Sequence, residues 1–224
     1  MTHVVHPYAH RLGIIKDWKS RWFGVGVQYK KFLREDVLIR RFLDARLRGL
    51  YVALVEIERS NRKLRIVIKT ARPGMLIGRQ GEGAVHLKEA LKKFMANEHI
   101  PSDGLQIDVE EIRVPEANAS IVAQMVVESL EKRMPFRRVL KQTIEKVMAS
   151  RDVKGARIAI SGRLGGAEMS RKEQVKKGRL PLQTFRADID FARATAHLSY
   201  GTIGVKSWIY RGDIFKEKTK KKNG

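Results

Sequence analysis

Residues 70–81 read Thr-Ala-Arg-Pro-Gly-Met-Leu-Ile-Gly-Arg-Gln-Gly, and the reading of this stretch decides the fold of the first half of the chain. Pro73 and Gly74 stop the element before them, Met75 to Ile77 form a short apolar turn, and Gly78 to Gly81 make a tetrapeptide with glycine at both ends. Glycines so placed let a backbone turn approach a phosphate chain with no side chain intervening, and the amides that open a following helix carry partial positive charge. Arg79 adds a cation at the tip, beside Gln80. Other glycine motifs fit poorly: Gly78, Gly81 and Gly83 carry the dinucleotide-binding spacing reversed, and no Lys-Ser or Lys-Thr follows to make a P-loop. A simple interhelical turn is the alternative.

Upstream, Tyr51 to Glu58 and Leu64 to Thr70 are rich in Val and Ile and are separated by Ser60, Asn61 and Arg62, which predicts paired strands. Before them, apolar residues from Phe32 to Leu47 recur at helical spacing and Gly49 supplies a stop, which predicts a helix over 32–50, with a break near Arg34 to Asp36. Residues 1–30 mix cations, aromatics and glycines without a period and read as an extended basic arm. Downstream, Val85, Leu87, Leu91 and Phe94 predict an amphipathic helix to about Asn97, and a strand runs from Leu105 to Val114 before Pro115 closes a first domain over 31–115.

Two helical patterns follow, Ile121 to Leu130 and Phe136 to Met148, the second with Pro135 at its start. After Gly155 the period changes to two. Strands are predicted over 156–161, about 167–176, 183–188 and 197–210, divided by glycines and Pro181. The chain therefore reads as α+β, its second domain (116–212) a helix pair on a small, mostly antiparallel sheet, followed by a flexible basic tail over 213–224.

The 224 residues hold 46 Lys+Arg against 24 Asp+Glu, a net charge of +22. The cationic excess lies on both sides of a near-neutral stretch over 101–150, so more than one surface faces a polyanion, and nucleic acid is the economical partner. No long amphipathic helix with a basic polar face argues for a membrane surface. The absence of cysteine excludes a disulfide scaffold and thiolate chemistry and fits a reducing compartment, with the cytoplasm as the default. No membrane span and no signal peptide is expected.

Arg137, Arg138 and Lys141 share one face of the helix that begins near Pro135, while Phe136, Val139 and Leu140 turn to the core. Cations in a first helical turn oppose the dipole by roughly 0.3 to 1 kcal/mol each unless an anion relieves them, which argues for function over a merely solvated face. Arg163, Arg171, Lys172, Lys176, Lys177 and Arg179 decorate a hairpin after Gly162, and Trp18, Trp22 and Phe23 are placed either to stack on bases or to dock on protein. No catalytic residue, metal ligand set or cofactor is expected. The six histidines show no ligand spacing, and Asp188 and Asp190, with Glu168 as a third acid, are better explained by pairing Arg186 and Arg193 than by a metal-dependent nuclease.

Flanked by helical segments after a strand pair, the Gly78 to Gly81 loop resembles that of the RNA-binding KH module. Nearly the whole chain resembles the bacterial-type small-subunit ribosomal protein S-three family. The motifs that carry this are His6-Pro7 with Arg11-Leu12-Gly13, Thr70 to Gly74 leading into Ile77-Gly78, Ser161 to Glu168, Arg186 to Asp190, and Tyr200 to Lys206, in that order. Departures are Ala9 for the usual Gly, Phe191 for the common Tyr, and Ser207 for an apolar residue before the Trp. The resemblance implies a type II KH domain followed by an α+β domain, ribosome-bound in the head of the small subunit, touching rRNA, mRNA and neighbouring head proteins, S-ten and S-fourteen among them, with no homo-oligomer. It implies that Gly78, Arg79, Gln80 and Gly81 form the KH loop and that Arg137, Arg138 and Lys141 line the channel by which mRNA enters and is unwound. His6, Arg11, Lys19, Trp22, Arg72, Arg163, Arg171, Lys172, Lys176, Lys177 and Arg179 are the expected rRNA contacts. A free KH-type regulator of mRNAs is the remaining alternative.

Overall fold

A computed structural model describes residues 6–60, 63–101 and 104–215. The first half contains β1 (Ser20–Arg21), α1 (Val27–Arg46), β2 (Val52–Ser60), β3 (Lys63–Thr70), α2 (Pro73–Ile77), α3 (Glu82–Asn97) and β4 (Leu105–Glu111). The strands lie in the order β1-β2-β3-β4, with β2 and β3 antiparallel and the two outer pairings parallel. A parallel β3–β4 pair needs a crossover, and α2 with α3 supply it. Alternation along β3 sends Leu64, Ile66 and Ile68 into a core with Ile39 and Leu43 of α1 and Leu87, Leu91 and Met95 of α3. The other side of this sheet is an ion-pair ladder. Arg65 meets Glu58 and Asp108, and Lys69 meets Glu56 and Glu110.

Helix α1 differs from the sequence expectation at both ends and in the middle. It starts at Val27, five residues early, because its N-cap is Gly26 with no side-chain cap to announce a start. The expected break near 34–36 is absent. Glu35 and Asp36 are buried in an unbroken helix, where Arg59 pairs with both and Trp22 Nε1 donates to Asp36 at 2.9 Å.

The second half contains α4 (Ala119–Glu131), α5 (Phe136–Ala149), β5 (Gly155–Gly162), β6 (Arg171–Gly178), β7 (Ala187–Leu198) and β8 (Gly201–Asp213). The sheet order is β6-β5-β8-β7, and every pairing is antiparallel. Helices α4 and α5 cover one face, burying Val126, Leu130, Leu140 and Ile144 against Ile158, Ile160, Val205 and Ile209. Ser207 is fully buried there, its hydroxyl satisfied by donation to the Ala119 carbonyl at 2.7 Å.

The predicted strand over 183–188 is corrected to Ala187–Leu198, and the last strand starts at Gly201 rather than His197. The alternating residues Ala192, Ala194 and Ala196 hid β7, since alanine favours helix; here its small side chain lets α4 pack close. Residues 181–186 are irregular because the carbonyls of Leu182 and Thr184 are taken by Arg11.

Residues 6–30 are not a free extended arm. A 3₁₀ turn over Ala9–Arg11 docks on the second half, and β1 then joins the first sheet. The two halves also meet directly: Gln124 Nε2 donates to the Val52 carbonyl at 2.7 Å, Arg48 pairs with Glu131 at 2.6 Å, and the Tyr51 hydroxyl donates to Glu128. Between them lies a cleft of about 1090 Å3, lined by Lys19, Arg40, Asp44, Tyr51, Glu128 and Arg193 among others. The expected tail over 213–224 starts too early, since Asp213 ends β8 and Ile214 N donates to the Arg186 carbonyl at 2.8 Å; from 216 onward it lies outside the described residues.

Candidate nucleic-acid interface

The Gly78 to Gly81 loop has a backbone that ordinary residues avoid. Gly78 (φ 71°), Gln80 (φ 53°) and Gly81 (φ 85°) all sit at positive φ, which glycine tolerates and a β-carbon resists. The turn is held by Gly78 N donating to the Gly74 carbonyl at 3.0 Å, and α3 opens directly after Gly81 without a side-chain cap. Glu82 N, the first amide of α3, is taken by the Arg79 carbonyl, so only the amides that follow it are left for an anion. A residue outside the tetrapeptide sets the geometry. A β-carbon on Gly83 would stand 2.5 Å from the Leu76 carbonyl oxygen, so only glycine lets α2 and α3 close on each other. Arg79 is exposed at the tip, and Met75, Ile77 and Val85 present apolar surface beside it. Arg72 stands exposed at the start of α2, its guanidinium 4.5 Å over the Tyr51 ring.

Helix α5 presents Arg137, Arg138 and Lys141 to solvent while Val139 and Leu140 are buried. Its N-cap is Pro135, no side chain caps it, and its first turn contains no acid. The cations thus add to the positive end of the dipole instead of offsetting it. Strand alternation divides the basic hairpin. Arg171, Glu173 and Lys177 face the α5 side; Lys172 and Lys176 face the opposite side. On the α5 side Glu173 lies 3.6 Å from Arg137 and 3.8 Å from Arg171. The two guanidiniums lie 5.7 and 5.5 Å from the Phe136 ring. Glu173 and Phe136 organise this cluster: Glu173 was not singled out in the sequence, its signal being its place two residues from Arg171, and Phe136, expected in the core, is only partly buried there and turns its ring to the two arginines. Arg163 is exposed and shapes its own loop by donating to the carbonyls of Ala167 and Tyr200. Arg179 is exposed at the end of the hairpin.

In the arm, Arg11 does not fit the rRNA contact expected of it. Its side chain is fully buried, and the guanidinium donates to the carbonyls of Pro7, Leu182, Thr184 and Ala187. It is a staple between the arm and the second half. Trp22 is likewise docked on protein, half-buried against Tyr29 and Phe32 with its indole nitrogen bound to Asp36. Lys19 lies over the Tyr8 ring at the mouth of the cleft. His6 packs edge-on against Phe191, and burial followed by the charges of Arg193 and Lys19 lowers its pKa.

Asp188 and Asp190 serve the fold. Asp188 pairs with Lys16 at 2.6 Å, and Asp190 accepts from Ala119 N at 2.9 Å and pairs with Arg211 at 3.3 Å. The expected partners Arg186 and Arg193 are instead engaged elsewhere, Arg186 with Asp213 and Arg193 over Phe191. Among the described residues no group of His, Asp or Glu is arranged to hold a metal ion, and no helix is long and apolar enough to cross a membrane.

The KH-domain family model matches residues 38–117, and that of the ribosomal protein S3 C-terminal domain matches residues 126–209. The small ribosomal subunit protein uS3 of Caldicellulosiruptor saccharolyticus is 45% identical over 218 residues, spanning 97% of this chain and 96% of the relative. The chain belongs to the uS3 family. The uS3 of Desulfatibacillum aliphaticivorans is 43% identical over 223 residues, covering 100% of this chain and 99% of its own. Family members are structural proteins, not enzymes, and the KH loop and the basic face of α5 belong to the two domains that the family combines.

Proposed function

We propose that this chain is a structural, rRNA-binding constituent of the small ribosomal subunit, bound in its head among neighbouring proteins of the S-ten and S-fourteen type, within the cytoplasm. In this reading the KH unit (31–115) and the C-terminal unit (116–212) each offer an RNA surface. The Gly78 to Gly81 loop is set to clamp a sugar-phosphate backbone with a glycine-flanked turn that lets the phosphates come close and with Arg79 at its tip. Arg137, Arg138 and Lys141, reinforced by Arg171, line the channel through which mRNA enters and help its structure to open. Lys19, Arg72, Arg163, Lys172, Lys176, Lys177 and Arg179 are exposed and remain available to rRNA phosphates, with His6 at the margin.

One observation carries the channel role: an uncapped helix start whose first turn holds two arginines and no acid, where Glu173 of β6 reaches Arg137 at 3.6 Å and Arg138 forms no ion pair among the described residues. A solvated face would select carboxylates there, so the arrangement makes sense with an anion in place. Replacing Arg137, Arg138 and Lys141 by Ala is expected to leave subunits that assemble and co-sediment with the protein but stall on structured mRNA. Subunits that fail to assemble would contradict the channel role, and a cellular pool found off the ribosome would favour a free KH-type regulator.

A further inference from the structure

The second sheet has helices on one face only; the other face is covered at one end, where Leu180, Leu182 and the arm pack over Ile189, Trp208, Tyr210 and Phe191, and its uncovered remainder is not neutral. Arg157 of β5 is the register partner of Lys176 on β6, and Arg193 of β7 is the register partner of Lys206 on β8. Like charges directly opposite one another destabilise a sheet. These two pairs lie in adjacent rows on the same face, joined by Lys172 of β6 one row further. Among the described residues none of the five forms an ion pair, and no Asp or Glu shares these rows on this face; Glu173, the acid of β6, points to the α5 side. The KH sheet, in the same chain, solves the same problem with a ladder of alternating signs.

Lysines on an edge strand guard against edge pairing, which explains Lys172 and Lys176 on β6. That reason does not reach Arg157 or Lys206, which stand on the two central strands. Arg157 is moreover held flat, its guanidinium 4.8 Å over the Trp208 ring and its Nε donating to Gln174 at 3.0 Å, so the charge is positioned and not swept through solvent. Positive potential at the β7 margin is felt by His6, whose pKa Arg193 and Lys19 depress after burial does. Next to the cations the surface is low: Ala159, Ser161 and Gly204 leave the backbone approachable.

We propose that this open face is a second RNA surface, which takes the phosphate backbone of folded rRNA across Lys172, Lys176, Arg157, Lys206 and Arg193. The inference rests on the ribosomal reading above and names the surface that would hold the second domain there. Four strands span three spacings of about 4.8 Å, roughly 14 Å, so the cations are spread over several phosphates and not forked on one carboxylate. The face lies on the reverse of the sheet from α5, so an RNA segment other than the mRNA at Arg137 is required.

The test uses the full chain with Arg157, Lys176, Arg193 and Lys206 all changed to Gln. Binding to a transcript of the small-subunit rRNA head is measured across salt concentration. The variant is expected to bind at least tenfold more weakly, with the slope of log K against log salt reduced by about 3. If the wild-type chain does not bind the transcript, the ribosomal reading itself fails; if it binds and the variant matches it in affinity and slope, the sheet proposal alone fails. Should the variant not fold by circular dichroism, Thr195→Cys, the sole thiol of the chain, carries an iron chelate into assembled subunits. Cleavage confined to one or two rRNA segments supports the proposal, whereas no rRNA cleavage, with damage only to a neighbouring protein, overturns it.

Discussion

Arg11 Nε donates to the Ala187 carbonyl oxygen at 2.7 Å across 176 residues of sequence. A cation from the arm thus replaces the ladder partner that the carbonyls of 182–187 would otherwise lack. Arg11→Met keeps the apolar stem and strands those carbonyls, so the chain is expected to lose about 3 kcal/mol of stability in urea titration. A loss below about 0.5 kcal/mol would mean that the arm is undocked in solution.

The Lys132 ammonium and then the Tyr51 hydroxyl hold the Glu128 carboxyl below its ordinary value of 4.5. A carboxylate favoured in the folded state stabilises above the unfolded pKa and ceases to do so as pH falls through the folded one. Glu128 is partly exposed, so the effect is small. Glu128→Gln should lower the melting temperature by about 1–2 °C at pH 7, and the difference should vanish by about pH 3. A difference that persists in acid would contradict the ionic origin of this contact between the halves.

At the KH loop two glycines are needed for different reasons. Gly81→Ala meets open space but a φ of +85°, and should cost about 1 kcal/mol. Gly83→Ala drives its β-carbon onto the Leu76 and Ile77 carbonyls and should cost more than about 2 kcal/mol by thermal or urea unfolding. The reverse ranking would place the tight approach of α2 and α3 elsewhere.

Arg138→Glu reverses a charge in the uncapped first turn of α5. The free chain should gain about 1 kcal/mol in equilibrium unfolding, while translation of structured mRNA by subunits carrying it declines. Simultaneous loss of stability would show that Arg138 has a packing role.

Local patterns in the chain were legible wherever one element owned its own signal. The glycine tetrapeptide, the Leu87-Leu91 stripe and the apolar face of α5 needed no distant partner, and all stand where periodicity put them. Signals that depended on a remote group misled. Glu35 and Asp36 looked like a break because their counter-charge, Arg59, lies on another strand, and Ala192 to Ala196 hid a strand because only the close approach of α4 makes small residues favourable there.

Fold class, the order of the two domains, the surplus of cations and the family were determined by the sequence alone, since period, punctuation and composition are local or summed properties. Which cations are free was decided only by the tertiary structure. Arg11 and Lys172 read alike in a list of basic residues, yet one is buried among four carbonyls and the other stands exposed on β6 with no ion pair among the described residues. A charge acts on RNA only if the fold has not already given it a partner, and that assignment depends on groups far away along the chain.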